Sequence, residues 1–167
     1  MTIPHRGQTS ASTYFITVGV WSKMRLLQSQ RMAELFCNML LEKRAMNTFL
    51  LHAFVVMPNH IHLLITVPQG STLERTMQLI KGGFSREAGK FLNLPHPFWQ
   101  KSFVDRRVRD AGEFHRFREY IHQNPVLANL CNSQEQFPYS SANELFVSDP
   151  LPQRLKPQAE NAAELYR

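Results

Sequence analysis

The chain has few cysteines, no long apolar run and no apolar signal core in its first residues. It has two cysteines in 167 residues, Cys37 and Cys131, which make neither a disulfide framework nor a zinc site of the usual spacing. The longest apolar stretch, residues 49–57, is interrupted by His52, whereas a membrane span needs about 20 apolar residues. Residues 1–12 are polar and have no apolar signal core. These absences predict a cytoplasmic, bacterial-type protein in a reducing compartment, with no membrane partner.

Acidic residues are scarce in one part of the chain. The formal net charge is +6. Residues 75–118 contain ten Lys or Arg and four Asp or Glu, and ten minus four equals the whole net charge. A segment that carries all of the excess positive charge is a candidate surface for a polyanion such as DNA. The alternative is an ordinary solvated face.

The order of apolar patterns predicts the fold. Runs of β-branched and aromatic residues predict strands, and apolar residues at i, i+3 and i+4 predict helices. The strands are expected over 13–20, 47–56, 60–67 and 98–108, and the helices over 29–44, from 71 onward and over 110–123. A β-α-β-β-α-β order is the ferredoxin-like pattern. We therefore predict one α+β domain, a ferredoxin-like βαββαβ sandwich with a four-stranded antiparallel sheet, followed by an additional helix.

Turn and capping signals set the expected boundaries. Residues 57–59 (Met-Pro-Asn) form a tight turn that makes strands two and three a hairpin. Capping boxes begin the later helices, with Ser71 and Asp110 at the N-caps, and Pro125 is expected to end the last helix. We expect a flexible arm over 1–12, the domain over 13–142, and a polar, mobile tail over 143–167.

Two histidines in the third strand are candidate metal ligands. His60 and His62 are two residues apart, so their side chains point to the same side of the strand. The alternating residues that begin with Ile61 form an apolar face on the other side. Neutral imidazoles bind divalent cations, but the pair needs a third ligand. The alternative is a half-exposed strand with two uninvolved histidines.

A tyrosine on the last helix is the candidate nucleophile. Tyr120 and Asn124 are i, i+4 neighbours and share one helical face. A phenolate favoured by a nearby cation can attack a phosphodiester. The carbonyl oxygen of Asn124 could complete the metal shell, with Gln123 as the other choice. The alternative is that Tyr120 is a rim aromatic that packs beside Phe117.

The other histidines considered are expected to have ordinary roles. His52 lies in an apolar strand and is expected to be a core residue or to support the metal ligands. His115 and His122 are expected on a solvated helix face.

Four segments resemble one known family. Residues 57–64 (Met-Pro-Asn-His-Ile-His-Leu-Leu) look like the HUH motif of single-tyrosine transposases. Residues 98–103 (Phe-Trp-Gln-Lys-Ser-Phe) and 120–126 (Tyr-Ile-His-Gln-Asn-Pro-Val) look like the signature of the REP-associated tyrosine transposases, where REP is a repetitive extragenic palindrome. Residues 139–142 are similar to that branch's closing motif. The resemblance covers about residues 13–142.

The resemblance implies a specific chemistry. His60, His62 and Asn124 would bind a divalent metal, Mg²⁺ or Mn²⁺, and Tyr120 would cut single-stranded DNA and become joined to the 5′ phosphate. The partner would be a REP-type DNA hairpin with a short flanking tetranucleotide, bound by a monomer or a homodimer. Charge and position suggest the DNA-binding residues, which are Arg6, Lys81, Arg86, Lys101, Arg106, Arg107 and Arg109.

Two other functions stay open on the sequence. One is a non-catalytic module that binds nucleic-acid hairpins on the same fold. The other is a metal hydrolase that uses a bound water, with Tyr120 uninvolved. Only the transposase-like enzyme would form a covalent adduct between protein and DNA.

Overall fold

A computed structural model describes residues 10–94 and 96–156. Its main elements, in chain order, are β1 (Ser12–Gly19), α1 (Gln30–Ala45), β2 (Leu50–Met57), β3 (His60–Val67), α2 (Leu73–Gly89), β4 (Val104–Arg107) and α3 (Ala111–Leu127). No helix in this described part of the chain is both long and apolar enough to cross a membrane.

The four strands form one antiparallel sheet in the order β2-β3-β1-β4. The predicted βαββαβ sandwich with a further helix is therefore confirmed. The two central strands run side by side so that Thr17 of β1 pairs with His62 of β3, and Gly19 pairs with His60. This register brings residues far apart in the sequence to the same end of the sheet.

Helices cover both faces of the sheet. On one face, residues of β1 and β3 such as Ile16 and Ile61 pack with Phe36 of α1 and Phe84 of α2. On the opposite face, α3 packs over the sheet through its own apolar residues; the buried cluster there includes Phe15, Val55, Leu64, Phe114 and Ile121. Ile61, Leu63, Ile65 and Val67 face the first core, as predicted. The imidazole face of β3 lies partly beneath α3, because Leu64 on that face belongs to the same buried cluster as Phe114 and Ile121.

Several predicted boundaries are wrong. The fourth strand is only Val104–Arg107, and the earlier part of the predicted strand contributes a single isolated bridge between Trp99 and Val20. Helix α2 is capped by Thr72, which accepts from the Arg75 N–H, and not by Ser71. Asp110 caps α3 as predicted.

Helix α3 continues through Pro125 to Leu127, although a proline was expected to stop it. Proline lacks an N–H and costs the helix one hydrogen bond, but its fixed φ is compatible with helical backbone. Pro125 is buried, and the turn after it is closed by the Ala128 N–H, which donates to the Asn124 carbonyl at 3.0 Å. Burial and this closing bond hold the last turn in place.

Residues 143–156 differ from the mobile tail that was predicted. Asp149 accepts from Arg44 at 2.7 and 2.8 Å and from the Leu51 N–H at 2.7 Å. Its own N–H donates to the Leu51 carbonyl, and Leu155 is buried beneath the sheet. From its polar composition this segment was predicted to be mobile, but it covers the edge of β2. Residues 157–167 lie outside the described residues, and the outer domain boundaries stay a prediction.

Replacing Asp149 by asparagine should destabilise the fold by about 2 kcal/mol, since a charged hydrogen-bond acceptor is lost. The Arg44 guanidinium, more than any other group, lowers the pKa of Asp149. A carboxyl with a lowered folded-state pKa stabilises the fold above its ordinary pKa of about 4, and that contribution disappears as the pH falls. Chemical denaturation at pH 7 and pH 3 should therefore show the difference between wild type and variant shrinking in acid. Glu144→Gln, at an exposed acid of the same segment, should change little at either pH.

Candidate functional site

The two candidate metal ligands lie at the start of β3 on the face covered by α3. The ring centroids of His60 and His62 are 4.8 Å apart. His62 is only 4% exposed, and its ring stacks on Phe15 with a centroid distance of 5.5 Å. His60 is half-buried and lines an open cavity. The pair therefore has one buried and one accessible imidazole.

Hydrogen bonds orient both rings. The His60 Nδ1 is 2.7 Å from the Asn59 side-chain oxygen. Because that oxygen only accepts, Nδ1 donates and the Nε2 lone pair remains available. The His62 Nδ1 is 2.8 Å from the Thr17 hydroxyl, which can accept in the same way. Metal-binding histidines commonly donate their second ring N–H to such a partner.

Both imidazoles are neutral at pH 7. Burial and, to a smaller extent, the neighbouring His60 together lower the pKa of His62 to about 3. Burial also lowers the pKa of His60, and a hydrogen bond with Asn124 opposes that change. Neutral imidazole is the form that binds a metal, so the site needs no proton release at this position.

Helix α3 carries Tyr120 to the same place. The rings of Tyr120 and His62 meet edge to face, with centroids 5.4 Å apart, and Tyr120 is also 5.8 Å from Phe15. Phe117, one turn earlier, stacks on Phe15 at 4.6 Å and anchors the helix. Tyr120 is 47% exposed. Its ring is therefore fixed beside the histidine pair while much of its surface stays open to solvent.

The structure separates the two candidates for a third ligand. The Asn124 side chain raises the pKa of His60, and its amide donates to the Tyr120 carbonyl at 3.3 Å. The Gln123 amide instead donates to Glu119 and Gln134, each at 3.0 Å. Asn124 therefore stands at the histidine pair, and Gln123 is held away from it.

The donor set fits a divalent cation with open positions. Over residues 10–94 and 96–156, no group of three or more His, Cys, Asp or Glu side chains could enclose a metal. Two imidazoles and one amide oxygen leave several positions for water or phosphate, as catalytic metal sites require. Mg²⁺ in particular keeps much of its water and binds few protein groups.

The predicted DNA-binding cations differ in exposure and in their partners. Lys81 is half-buried and donates to the carbonyls of Gln100 and Lys101. The others in the described residues are exposed: Arg86, Lys101, Arg106, Arg107 and Arg109. Of these, Arg109 pairs with Glu113, and Arg86 lies 3.8 Å from Glu87. Arg6 lies outside the described residues. Contact with DNA stays a prediction for all seven.

Of the three other histidines considered in the sequence, two follow expectation and one does not. His52 is buried, as predicted, and hydrogen-bonds through its two nitrogens to Thr66 and the Asp149 carbonyl. His115 is exposed, as predicted. His122 is not on a solvated face, because its Nε2 lies 2.9 Å from the Ser141 hydroxyl and burial lowers its pKa.

The sequence did not identify several residues of the site. Thr17 and Phe15 are 45 or more residues from His62 in the chain, and only the register of β1 and β3 brings them to it. Asn59 was assigned to the turn alone, although its carbonyl also accepts from the Val20 N–H at 2.9 Å. Gln100 lies in a recognised motif without an assigned role.

The chain is similar in sequence to a transposase of Escherichia coli. It is 25% identical over 131 residues to the REP-associated tyrosine transposase of Escherichia coli (strain K12), which covers 77% of this chain and 75% of that protein.

Two solved structures share the fold. A REP-associated tyrosine transposase solved with a bound REP hairpin has a TM-score of 0.69 and 22% identity, covering 95% of this chain and 96% of its own. A Deinococcus radiodurans R1 protein described as a transposase candidate has a TM-score of 0.53 and 21% identity, covering 72% and 95%. The family model for IS200-like transposases matches residues 9–124, which include all four strands of the sheet and the residues His60, His62, Tyr120 and Asn124. With that match, the chain belongs to the IS200-like transposase family.

Proposed function

We propose that the chain cuts and rejoins single-stranded DNA in a metal-dependent reaction in which Tyr120 is the nucleophile. The observation that carries the proposal is the placement of Tyr120 against His62, with ring centroids 5.4 Å apart, on the face where both histidines lie. Membership of a transposase family supports the reaction class. The E. coli relative and the hairpin-bound structure support a REP-type hairpin as the substrate.

The reaction begins at the Tyr120 hydroxyl. Its oxygen attacks the phosphorus of the phosphodiester, and the bond from phosphorus to the 3′ oxygen breaks. The phenolic proton passes to solvent, to which Tyr120 is half open, and the departing 3′ oxygen takes up a proton. The products are a DNA 5′ phosphate joined to Tyr120 and a free 3′ hydroxyl. Attack by a 3′ hydroxyl on the phosphotyrosine reverses the step or joins new strands.

His60, His62 and Asn124 would hold the divalent cation, Mg²⁺ or Mn²⁺. When bound, such a cation polarises a phosphoryl oxygen and stabilises charge in the transition state. Thr17 and Asn59 keep the two rings oriented. Phe15, stacked on His62 and Phe117, excludes water from the inner side of the site.

The exposed edge of the sheet is the proposed path of the DNA backbone. Arg106 and Arg107 of β4 are exposed and stand beside β1, which carries Phe15 and Thr17. Lys101 is exposed in the preceding loop. Phosphate contacts of this kind are independent of sequence and weaken as salt rises.

An end-label experiment tests the proposed function. A REP-type hairpin with single-stranded flanks, labelled at either its 5′ or its 3′ end, is incubated with the protein and Mn²⁺ or Mg²⁺ and resolved on a denaturing gel. We expect the 3′ label to move with the protein and the 5′ label to be released on a shorter strand. EDTA should abolish both products.

Other results would contradict the proposal in distinct ways. Binding with no product under any metal condition would indicate the non-catalytic module. Nicking that never yields a labelled protein band would indicate hydrolysis by water.

A further inference from the structure

An open cavity of about 380 Å³ adjoins His60 at the end of β1. Polar side chains and one glycine line much of it; they include Thr17, Gly19, Lys23, Asn59, Gln100 and Ser102. Cavities that hold small organic ligands begin at about 300 Å³, so there is room for one nucleotide. Because His60 belongs both to this wall and to the histidine pair, whatever fills the cavity lies next to the phosphate that Tyr120 attacks.

The backbone at Gln100 is tied to two elements. Its N–H donates to the Gly19 carbonyl at 2.9 Å, at the end of β1. Its carbonyl accepts from the Lys81 ammonium of α2 at 2.8 Å. The neighbouring Trp99 indole donates to the Lys81 carbonyl at 3.1 Å. Lys81 therefore acts on the site by holding the Gln100 loop in position.

The side chain of Gln100 lies across Gly19. A Cβ at residue 19 would be 2.6 Å from the Gln100 Oε1 and 3.1 Å from its Nε2. Any residue other than glycine at this position would therefore displace the Gln100 amide. Within the described ranges the amide has no hydrogen-bond partner. A half-buried amide normally finds one, and this one faces a cavity beside the histidine pair.

We propose that this cavity takes one unpaired base of the DNA strand, next to the phosphate attacked by Tyr120, and that Gln100 selects that base. The inference rests on the proposed function and assigns its base specificity. A glutamine amide presents a donor and an acceptor side by side, the pattern with which it reads adenine. Unstacked bases of single strands are commonly read in such pockets.

Lys23 supplies the positive charge of the same cavity. It is exposed at the mouth, and both it and Ser22 have left-handed backbone, with φ of 57° and 54°. Such conformations are costly for residues other than glycine and persist where the surroundings impose them. Here the turn carries the ammonium group to a position where it can neutralise the phosphate of the selected nucleotide.

A set of hairpin substrates tests the inference. Once the cleaved bond has been mapped, each of the four bases is placed in turn at the two nucleotides that flank it. Wild type should favour one base at one of these positions by about tenfold or more, the discrimination typical of a bidentate contact. Gln100→Ala should lower that ratio to about one, and Gln100→Glu, which cannot donate, should change the favoured base.

Gly19→Ala provides a second, independent variant. The added methyl displaces the Gln100 amide without altering Gln100, and it should also lower the preference. Gln69→Ala is the matched control, because Gln69 is an exposed glutamine beyond the opposite end of β3. Thermal unfolding of each variant is the check that the fold is retained.

The outcomes separate this inference from the proposed function. Adducts with the same base profile in wild type and in Gln100→Ala overturn the base-selecting role. A flat profile in wild type also overturns it. If wild type forms no adduct with any hairpin, the proposed function fails. Equilibrium binding of hairpins that carry each of the four bases in turn at every unpaired flanking nucleotide then tests the cavity without cleavage. A base preference in binding that Gln100→Ala removes supports it, and a uniform affinity overturns it.

Discussion

Tyr120→Phe should abolish the covalent protein–DNA adduct, with a loss on the order of 10⁴-fold or more, as expected when a nucleophile is removed. Hairpin binding should change by less than about twofold, because the phenylalanine ring keeps the packing against Phe15 and His62. The hydroxyl makes no hydrogen bond to the residues that the structure describes, so its removal should leave the fold intact. The measurements are denaturing gels for the adduct and gel shifts for binding.

Tyr139→Phe is the matched control for this prediction. Tyr139 is half-buried beside Phe137 and has its pKa raised by burial. Its backbone pairs with the outer edge of β2, so β2 lies between Tyr139 and the histidine pair. It should form adducts at the wild-type rate. If the Tyr120→Phe protein still yields labelled adducts, Tyr120 is not the nucleophile.

His62→Ala should lower adduct formation by about 10³-fold, since a bound metal supplies several kcal/mol of transition-state stabilisation. It should also weaken Mn²⁺ binding, measured by calorimetry on the protein without DNA. Because His62 is buried between Phe15 and Tyr120, alanine also leaves a cavity there. His62→Gln, which keeps most of the volume and a partner for Thr17, separates the lost ligand from lost packing.

His115→Ala is the control for the histidine prediction. His115 is exposed on the same helix as Tyr120, and its loss should affect neither Mn²⁺ binding nor adduct formation. Wild-type Mn²⁺ affinity in both His62→Ala and His60→Ala would show that the imidazoles are not ligands. If His62→Gln kept full activity but no longer bound Mn²⁺, the reaction would not require the cation.

The local parts of the site were predictable because they depend on short spacings. Side chains alternate along a strand, so His60 and His62 had to share one side of β3. Residues four apart on a helix are neighbours, so Tyr120 and Asn124 had to share one side of α3. Each spacing is a property of one element and needs no knowledge of the rest of the chain.

The choice between Asn124 and Gln123 needed the packing of α3 on the sheet. Both residues carry the same amide, and the sequence favoured Asn124 only because it shares a helical face with Tyr120. Once Phe117 stacks on Phe15, the rotation of the helix turns Asn124 toward His60 and Gln123 toward Gln134. The same docking takes His122 out of solvent and places it against Ser141.

By itself, the sequence determined the order of strands and helices, the core-facing residues of β3 and the pairing of candidate groups within each element. Only the tertiary structure decided that α3 covers the imidazole face, that Thr17 lies opposite His62, and that residues 143–156 close the edge of β2. The physical reason is distance along the chain. Periodicity reports which side of an element is apolar, whereas contacts across 45 to 100 residues depend on strand register and helix docking, which arise when the whole core packs at once.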